Sequence, residues 1–127
     1  MKRQKLLSDP KLLGRWGEKR CERYLKGKGL KTLTRNFACK TGEIDLVMVD
    51  ADSAIVFVEV RTKAVVAFAS PEVSITTPKK TRLLRTARYF LATNNIDDRP
   101  FRFDIVTIVL NKTSRPQIQH YKNAFVP

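Results

Sequence analysis

The sequence predicts a single α/β domain, a mixed central sheet flanked by helices, from three observations. Two segments repeat apolar residues at helical spacing behind a capping residue and a proline. Three others are nearly continuous apolar runs rich in β-branched residues. Helices and strands follow one another along 127 residues without a linker or repeat, a length that suits one domain.

Residues 1–9 read as a flexible basic arm. Asp9-Pro10 starts a helix, with Asp as N-cap and Pro at the first helical position. Leu12, Leu13, Trp16, Cys21, Tyr24 and Leu25 carry its apolar stripe, so Trp16 and Tyr24 are expected in the core, and Gly27 and Gly29 are its stops. This predicts a helix over 10–27, with Glu18 at the edge of the stripe. Leu30 to Phe37 is expected as an edge strand. Residues 43–49 and 54–61 read as central strands, and the short turn Asp50-Ala51-Asp52-Ser53 between them forces an antiparallel hairpin. Residues 64–77 look irregular. Thr77-Pro78 opens a second helix whose apolar face is Leu83, Leu84, Ala87, Phe90 and Leu91, and Asn94-Asn95 ends it. Phe101 to Leu110 is a third strong strand, and Gln117 to Tyr121 a short last one.

Charge separates the function classes. Lys and Arg number 25 against 12 acids, a net charge of +13. Such an excess favours polyanionic partners, nucleic acid first and an anionic membrane surface second. No apolar run approaches the ~18–20 residues of a membrane span, and the basic N-terminus lacks a signal-peptide apolar region. A cytoplasmic protein without a membrane partner is expected. Cys21, Cys39 and His120 cannot make up a zinc site, which needs about four ligands, so both thiols are read as packing residues and His120 is assigned no role.

The charge is also segmented. Residues 1–40 carry thirteen Lys or Arg and three acids; residues 41–60 carry five acids and no Lys or Arg. Residues 78–95 carry Lys79, Lys80, Arg82, Arg85 and Arg88 and no acid. An acidic island near a phosphate-binding groove is unfavourable unless a divalent cation bridges carboxylate and phosphate. The five helix cations are expected to track a phosphate backbone, against the alternative of a solvated face. Lys79 also sits at a helix N-terminus, where backbone N–H groups attract anions.

With Ala51, Asp52 and Ser53 as the hairpin loop, Asp45 falls directly opposite Glu59. Such partners have Cβ atoms about 4.5–5.5 Å apart on one face. Two carboxylates so placed repel unless one is protonated, both find cations, or a metal binds. Alternation puts Arg61 and Lys63 on the face of Glu59. Two carboxylates could hold a Mg²⁺ that activates water, and a neighbouring cation could stabilise the phosphate charge of phosphodiester cleavage. The alternative is a structural salt bridge, with Glu59 neutralised by Arg61 or Lys63 and Asp45 by some other basic residue. Asp104 is expected to pair with Arg102 or Arg99.

Gly42-Glu43-Ile44-Asp45-Leu46-Val47 followed by Phe57-Val58-Glu59-Val60-Arg61 resembles the small bacterial YraN-like family. Gly14-x-x-Gly17-Glu18, Arg35-Asn36, Lys79, Arg102-Phe103-Asp104 and Asn123-Ala124-Phe125 extend the resemblance over about residues 12–126. It implies a restriction-endonuclease-like core, in whose active members an Asp and a Glu-x-Lys unit bind metal and activate water. Carried over, Asp45, Glu59 and the Val60 carbonyl become ligands of Mg²⁺ or Mn²⁺, and Glu18 a further acid from the helix. Arg61 departs from the nuclease motif, which has Lys there; Lys63 follows two residues on. Arg never loses its proton and clamps two oxygens, which suits phosphate binding better than general-base work. Arg35 joins the expected nucleic-acid contacts. Three expectations stay open: a metal-dependent endonuclease acting on DNA ahead of RNA, a non-catalytic nucleic-acid-binding module, and a basic interaction protein. A homodimer is compatible with each.

Overall fold

In the computed structural model, which describes residues 3–64 and 75–125, two long helices cover opposite faces of a five-stranded sheet. The elements are α1 (Arg3–Ser8), α2 (Pro10–Gly27), β1 (Lys31–Cys39), β2 (Gly42–Val49), β3 (Ile55–Ala64), α3 (Thr77–Thr93), β4 (Phe101–Leu110) and β5 (Gln117–Phe125). The strands lie in sequence order, with β1 and β5 at the edges. Only β3 and β4 run parallel; the other neighbours are antiparallel. A parallel pair needs a crossover, and α3 lies within it. This is the mixed α/β sandwich expected, consistent with a restriction-endonuclease-like core.

Local chemistry sets most element ends. Asp9 caps α2, accepting from the N–H groups of Lys11 at 3.1 Å and Leu12 at 3.3 Å. The cap of α3 is Thr76, one residue before the expected Thr77, because its hydroxyl reaches the Lys79 N–H at 3.4 Å. Where the sequence suggested an arm, residues 3–8 form a short helix. Leu6 is buried there with Leu13 and Leu110. Fewer than two helical turns give too little periodicity to reveal it. β5 runs on to Phe125, whose ring stacks on Phe103 at 4.7 Å. Of the stretch expected to be irregular, residues 65–74 lie outside the described residues.

Two apolar layers enclose the sheet. On one face Cys21 and Leu25 of α2 meet Leu46, Met48, Val56, Val58, Val106 and Ile108, with Trp16 and Tyr24 packed against them. On the other, Leu83, Ala87 and Phe90 of α3 meet Val47, Ile55, Phe57 and Phe103. Burying one such Leu or Phe side chain contributes about 1.5–3 kcal/mol. Burial pushes the Cys21 thiol up to about 12, so it acts as a packing residue. Helix α2 lies very close to β3 at Gly17, where an added Cβ would come within 1.9 Å of Thr62 Oγ1. That approach sets the neighbouring Glu18 beside the end of β2.

Candidate functional site

The hairpin register is the one the three-residue loop requires. Asp50 N–H donates to the Ala54 carbonyl at 2.9 Å, and Val49, Met48, Val47 and Leu46 face Ile55, Val56, Phe57 and Val58. Pairing stops there, one step before Asp45 and Glu59. The next β3 donor, the Val60 N–H, goes to the Asp45 side chain, Oδ2, at 2.8 Å. Alternation along β2 slips at the same point: Ile44 packs in the α3 layer with Val47, although Leu46 and Met48 face α2.

The parted strands open two clefts. One of about 450 Å³, on the α3 side, is lined by Asp45, Glu59, Val60, Lys79, Arg82 and Thr86 among others. A second of about 270 Å³ is lined by Arg15, Glu18, Lys19, Glu22, Asn36 and Asp45 among others. Asp45 stands in the seam between them. The wall of the larger cleft is tied to α3 by a hydroxyl chain. Thr41 Oγ1 lies 2.9 Å from Thr86 Oγ1, which donates to the Arg82 carbonyl at 2.8 Å. Gly42, at φ +148°, gives the turn its close approach: a Cβ there would sit 3.3 Å from Thr86 Oγ1.

The two carboxylates are treated differently. Burial pushes the Asp45 carboxyl up to about 6; the Val60 N–H opposes this, Glu18 and Glu59 reinforce it, and Lys79 opposes it. Among the described residues Asp45 Oδ1 has no hydrogen-bond partner. Glu18 is raised too, by burial against a hydrogen bond from Asn36, with Glu43 adding repulsion. Glu59 is paired through both oxygens: Oε1 with Lys79 Nζ at 2.6 Å and Oε2 with Arg61 Nη2 at 3.1 Å. Half of the structural salt bridge considered from sequence is therefore present, with Lys79 as an added partner from a distant helix.

The remaining sequence candidates scatter. Lys63 is exposed near the end of β3 and lines neither cleft. Arg35, expected among the nucleic-acid contacts, is engaged within the chain. It grips Glu22 with two bonds, Nε to Oε1 at 2.9 Å and Nη2 to Oε2 at 2.6 Å. That clamp holds the Glu22 carboxyl down to about 2, against burial and with help from Thr32 and Lys26. Sequence spacing could not show the pair, because it joins α2 to β1 across a turn. Lys80 lies over the Phe125 ring at 5.9 Å. Arg82, Arg85 and Arg88 are exposed on α3, and only Arg82 of the three lines the larger cleft.

A second buried carboxylate lies on β4. Asp104 is fully buried and accepts from Arg102 Nε at 3.0 Å, His120 Nε2 at 2.7 Å and the Asn123 N–H at 2.9 Å. Arg102 also reaches Asp50 at 2.9 Å. Lys28 Nζ lies 3.3 Å from His120 Nδ1, which places the proton of a neutral ring on Nε2. Burial raises the Asp104 carboxyl, but the bonds from His120, Arg102 and Asn123 outweigh it and hold it below the usual range. The Arg102 partner was legible in sequence. His120 was not: it stands opposite Val106, one same-face step from Asp104, and that follows only from the β4–β5 register.

Among the described residues, no three His, Cys, Asp or Glu side chains group closely enough to cage a metal ion. Mg²⁺ does not need such a cage, since it uses one or two carboxylates and keeps several waters. Asp45, Glu59 and the Val60 carbonyl are hard oxygen donors around one cleft, which fits Mg²⁺ or Mn²⁺, with Lys79 competing for Glu59. Among the described residues no helix is long and apolar enough to cross a membrane.

The fold and its acidic seam define a small basic α/β domain with a restriction-endonuclease-like core. The chain belongs to the uncharacterised protein family UPF0102, the YraN-like family, whose model matches residues 17–108. It is 40% identical over 118 residues to a UPF0102 protein of Geotalea uraniireducens (strain Rf4), covering 93% of this chain and 92% of that one. It is also 40% identical over 116 residues to one of Pelotomaculum thermopropionicum, covering 91% and 96%. A Nocardia farcinica relative is 34% identical over 119 residues, covering 94% and 93%.

Proposed function

We propose that this protein is a Mg²⁺- or Mn²⁺-dependent nuclease acting on nucleic acid, DNA ahead of RNA. The observation that carries the reading is the parting of β2 and β3, which sets Asp45 and Glu59 in one cleft with Lys79 and Arg82. Asp45 is oriented by the Val60 N–H and keeps Oδ1 for a ligand. Glu59 and the Val60 carbonyl supply the other oxygen donors. Asp45, Glu59 and the Val60 carbonyl would hold the divalent cation, which would supply an activated water for phosphodiester hydrolysis. Lys79 and Arg82, which line the same cleft, bind the phosphate. Arg61 beside Glu59 adds a guanidinium, which suits clamping phosphate oxygens better than general-base work. Arg85 and Arg88 extend the cationic surface along α3.

One observation favours a second reading, a non-catalytic nucleic-acid-binding module. Both Glu59 oxygens are already neutralised by this chain's own cations. The two readings separate in one experiment. Cleavage of single-stranded, duplex and branched DNA is followed with Mg²⁺ or Mn²⁺, for the wild type and for Asp45→Asn with Glu59→Gln. Activity lost in the double variant supports the nuclease; equal activity in it removes the assignment. Salt-dependent binding that survives or tightens in that variant, without cleavage in the wild type, supports the binding module.

A further inference from the structure

Tyr89 is one of two large hydrophobic side chains exposed among the described residues, at 52%. It is not a loosely hanging ring. Its centroid lies 6.3 Å from that of Phe37, inclined by 34°. Phe37 meets Phe90 edge-on at 5.1 Å, and Phe90 meets the buried Phe57 at 6.0 Å. A row of aromatic rings thus runs from the core to the surface and ends on Tyr89, which is braced from behind and open in front.

The surroundings of that ring are cationic. Helix α3 carries Lys79, Lys80, Arg82, Arg85 and Arg88 and no acid. Arg82, Arg85 and Tyr89 fall on successive turns of one exposed face. Arg82 lines the acidic cleft, and Tyr89 lies about 10 Å further along the helix axis. A stripe of guanidinium groups ending in a braced aromatic ring matches a strand that offers phosphates along its backbone and flat bases beside it. A paired duplex has no free base face to give.

We infer that Tyr89 is a stacking platform for an unpaired nucleobase, and that the polyanion following α3 is a single-stranded stretch of nucleic acid. This rests on the nucleic-acid reading above and narrows it to substrates with unpaired bases. Base stacking needs no particular sugar, so single-stranded DNA and RNA share the recognition.

The test is an equilibrium titration without divalent cations at one fixed salt concentration. The probes are oligothymidylate, oligouridylate and a fully paired duplex of equal length. The proteins are wild type, Tyr89→Phe, Tyr89→Ala and Arg85→Ala, each checked for wild-type unfolding. Tyr89→Ala is expected to weaken binding of both single strands about fivefold or more while leaving the duplex within about twofold. Tyr89→Phe should retain the affinity, and Arg85→Ala should weaken all three probes alike. The sugar preference follows from comparing the two single strands. Single-strand binding unchanged in Tyr89→Ala, or an equal loss on duplex, overturns the platform while leaving nucleic-acid binding intact. No binding of any probe by the wild type overturns both the platform and the reading beneath it.

Discussion

Asp104 and Asp45 are both carboxylates set among central strands, and they are handled in opposite ways. Asp104 receives a guanidinium, an imidazole and a backbone N–H, and its carboxyl is held low in spite of burial. Asp45 receives one backbone N–H, faces two further acids, and is pushed up to about 6. The same residue type is satisfied where it is fully buried and left short where it is half-buried between two clefts. A fold that can satisfy a buried carboxylate so fully leaves Asp45 short at a cost, and that cost falls where the strands part and two clefts meet. Asp104 reads as structure; on the function proposed above, Asp45 is the group held for a ligand.

The largest effect should come from breaking the satisfied side. Asp104→Asn removes the charge that Arg102 and His120 share and is expected to cost about 3–5 kcal/mol at neutral pH, measured by urea unfolding. Because the Asp104 carboxyl is lowered in the folded chain, its contribution is present above the ordinary carboxylate range and lost as pH falls through the folded value. The gap between variant and wild type should therefore narrow in acid.

Gly17→Ala comes next. The new Cβ meets Thr62 at 1.9 Å, so α2 must lift from β3, at an expected loss of about 1–3 kcal/mol despite alanine's better helix propensity. Lifting α2 also draws Glu18 from Asp45. The Asp45 titration, followed by carbon NMR, should move down.

Asp45→Asn should act with the opposite sign. The folded chain holds the Asp45 proton to higher pH than the unfolded chain, so wild-type stability falls as pH rises from about 3.8 to about 6. The variant keeps an oxygen for the Val60 N–H and removes the charge. Without metal it should gain about 3 kcal/mol above that window and nothing below it. A loss of stability at high pH would instead make Asp45 a structural partner like Asp104. The smallest effect is Arg85→Ala, expected within about 0.5 kcal/mol of wild type, since the side chain is exposed.

Much of this contrast could be read before folding, though unevenly. The register that brings Asp45 toward Glu59 followed from counting the hairpin loop, because a three-residue turn leaves one way to pair the strands. That the ladder would end at Leu46 and Val58 did not follow, because the Val60 N–H had an acceptor only once Asp45 turned into the seam. Arg35 illustrates the same limit. Its charge made it a candidate for phosphate, and only the packing of α2 on β1 showed that it also holds Glu22. Lys63 shared a strand face with Glu59 by alternation but ends outside both clefts.

By itself, the order of residues determined the two long helices, the central strands, the hairpin register and the segmentation of charge. These depend on period, caps and loop length, which are local. Only the tertiary structure decided which charges meet: Lys79 with Glu59, Arg35 with Glu22, His120 with Asp104 and, among the described residues, nothing but an N–H with Asp45. Those partners lie on different elements, and their energies depend on burial and distance, which exist only once the layers have closed.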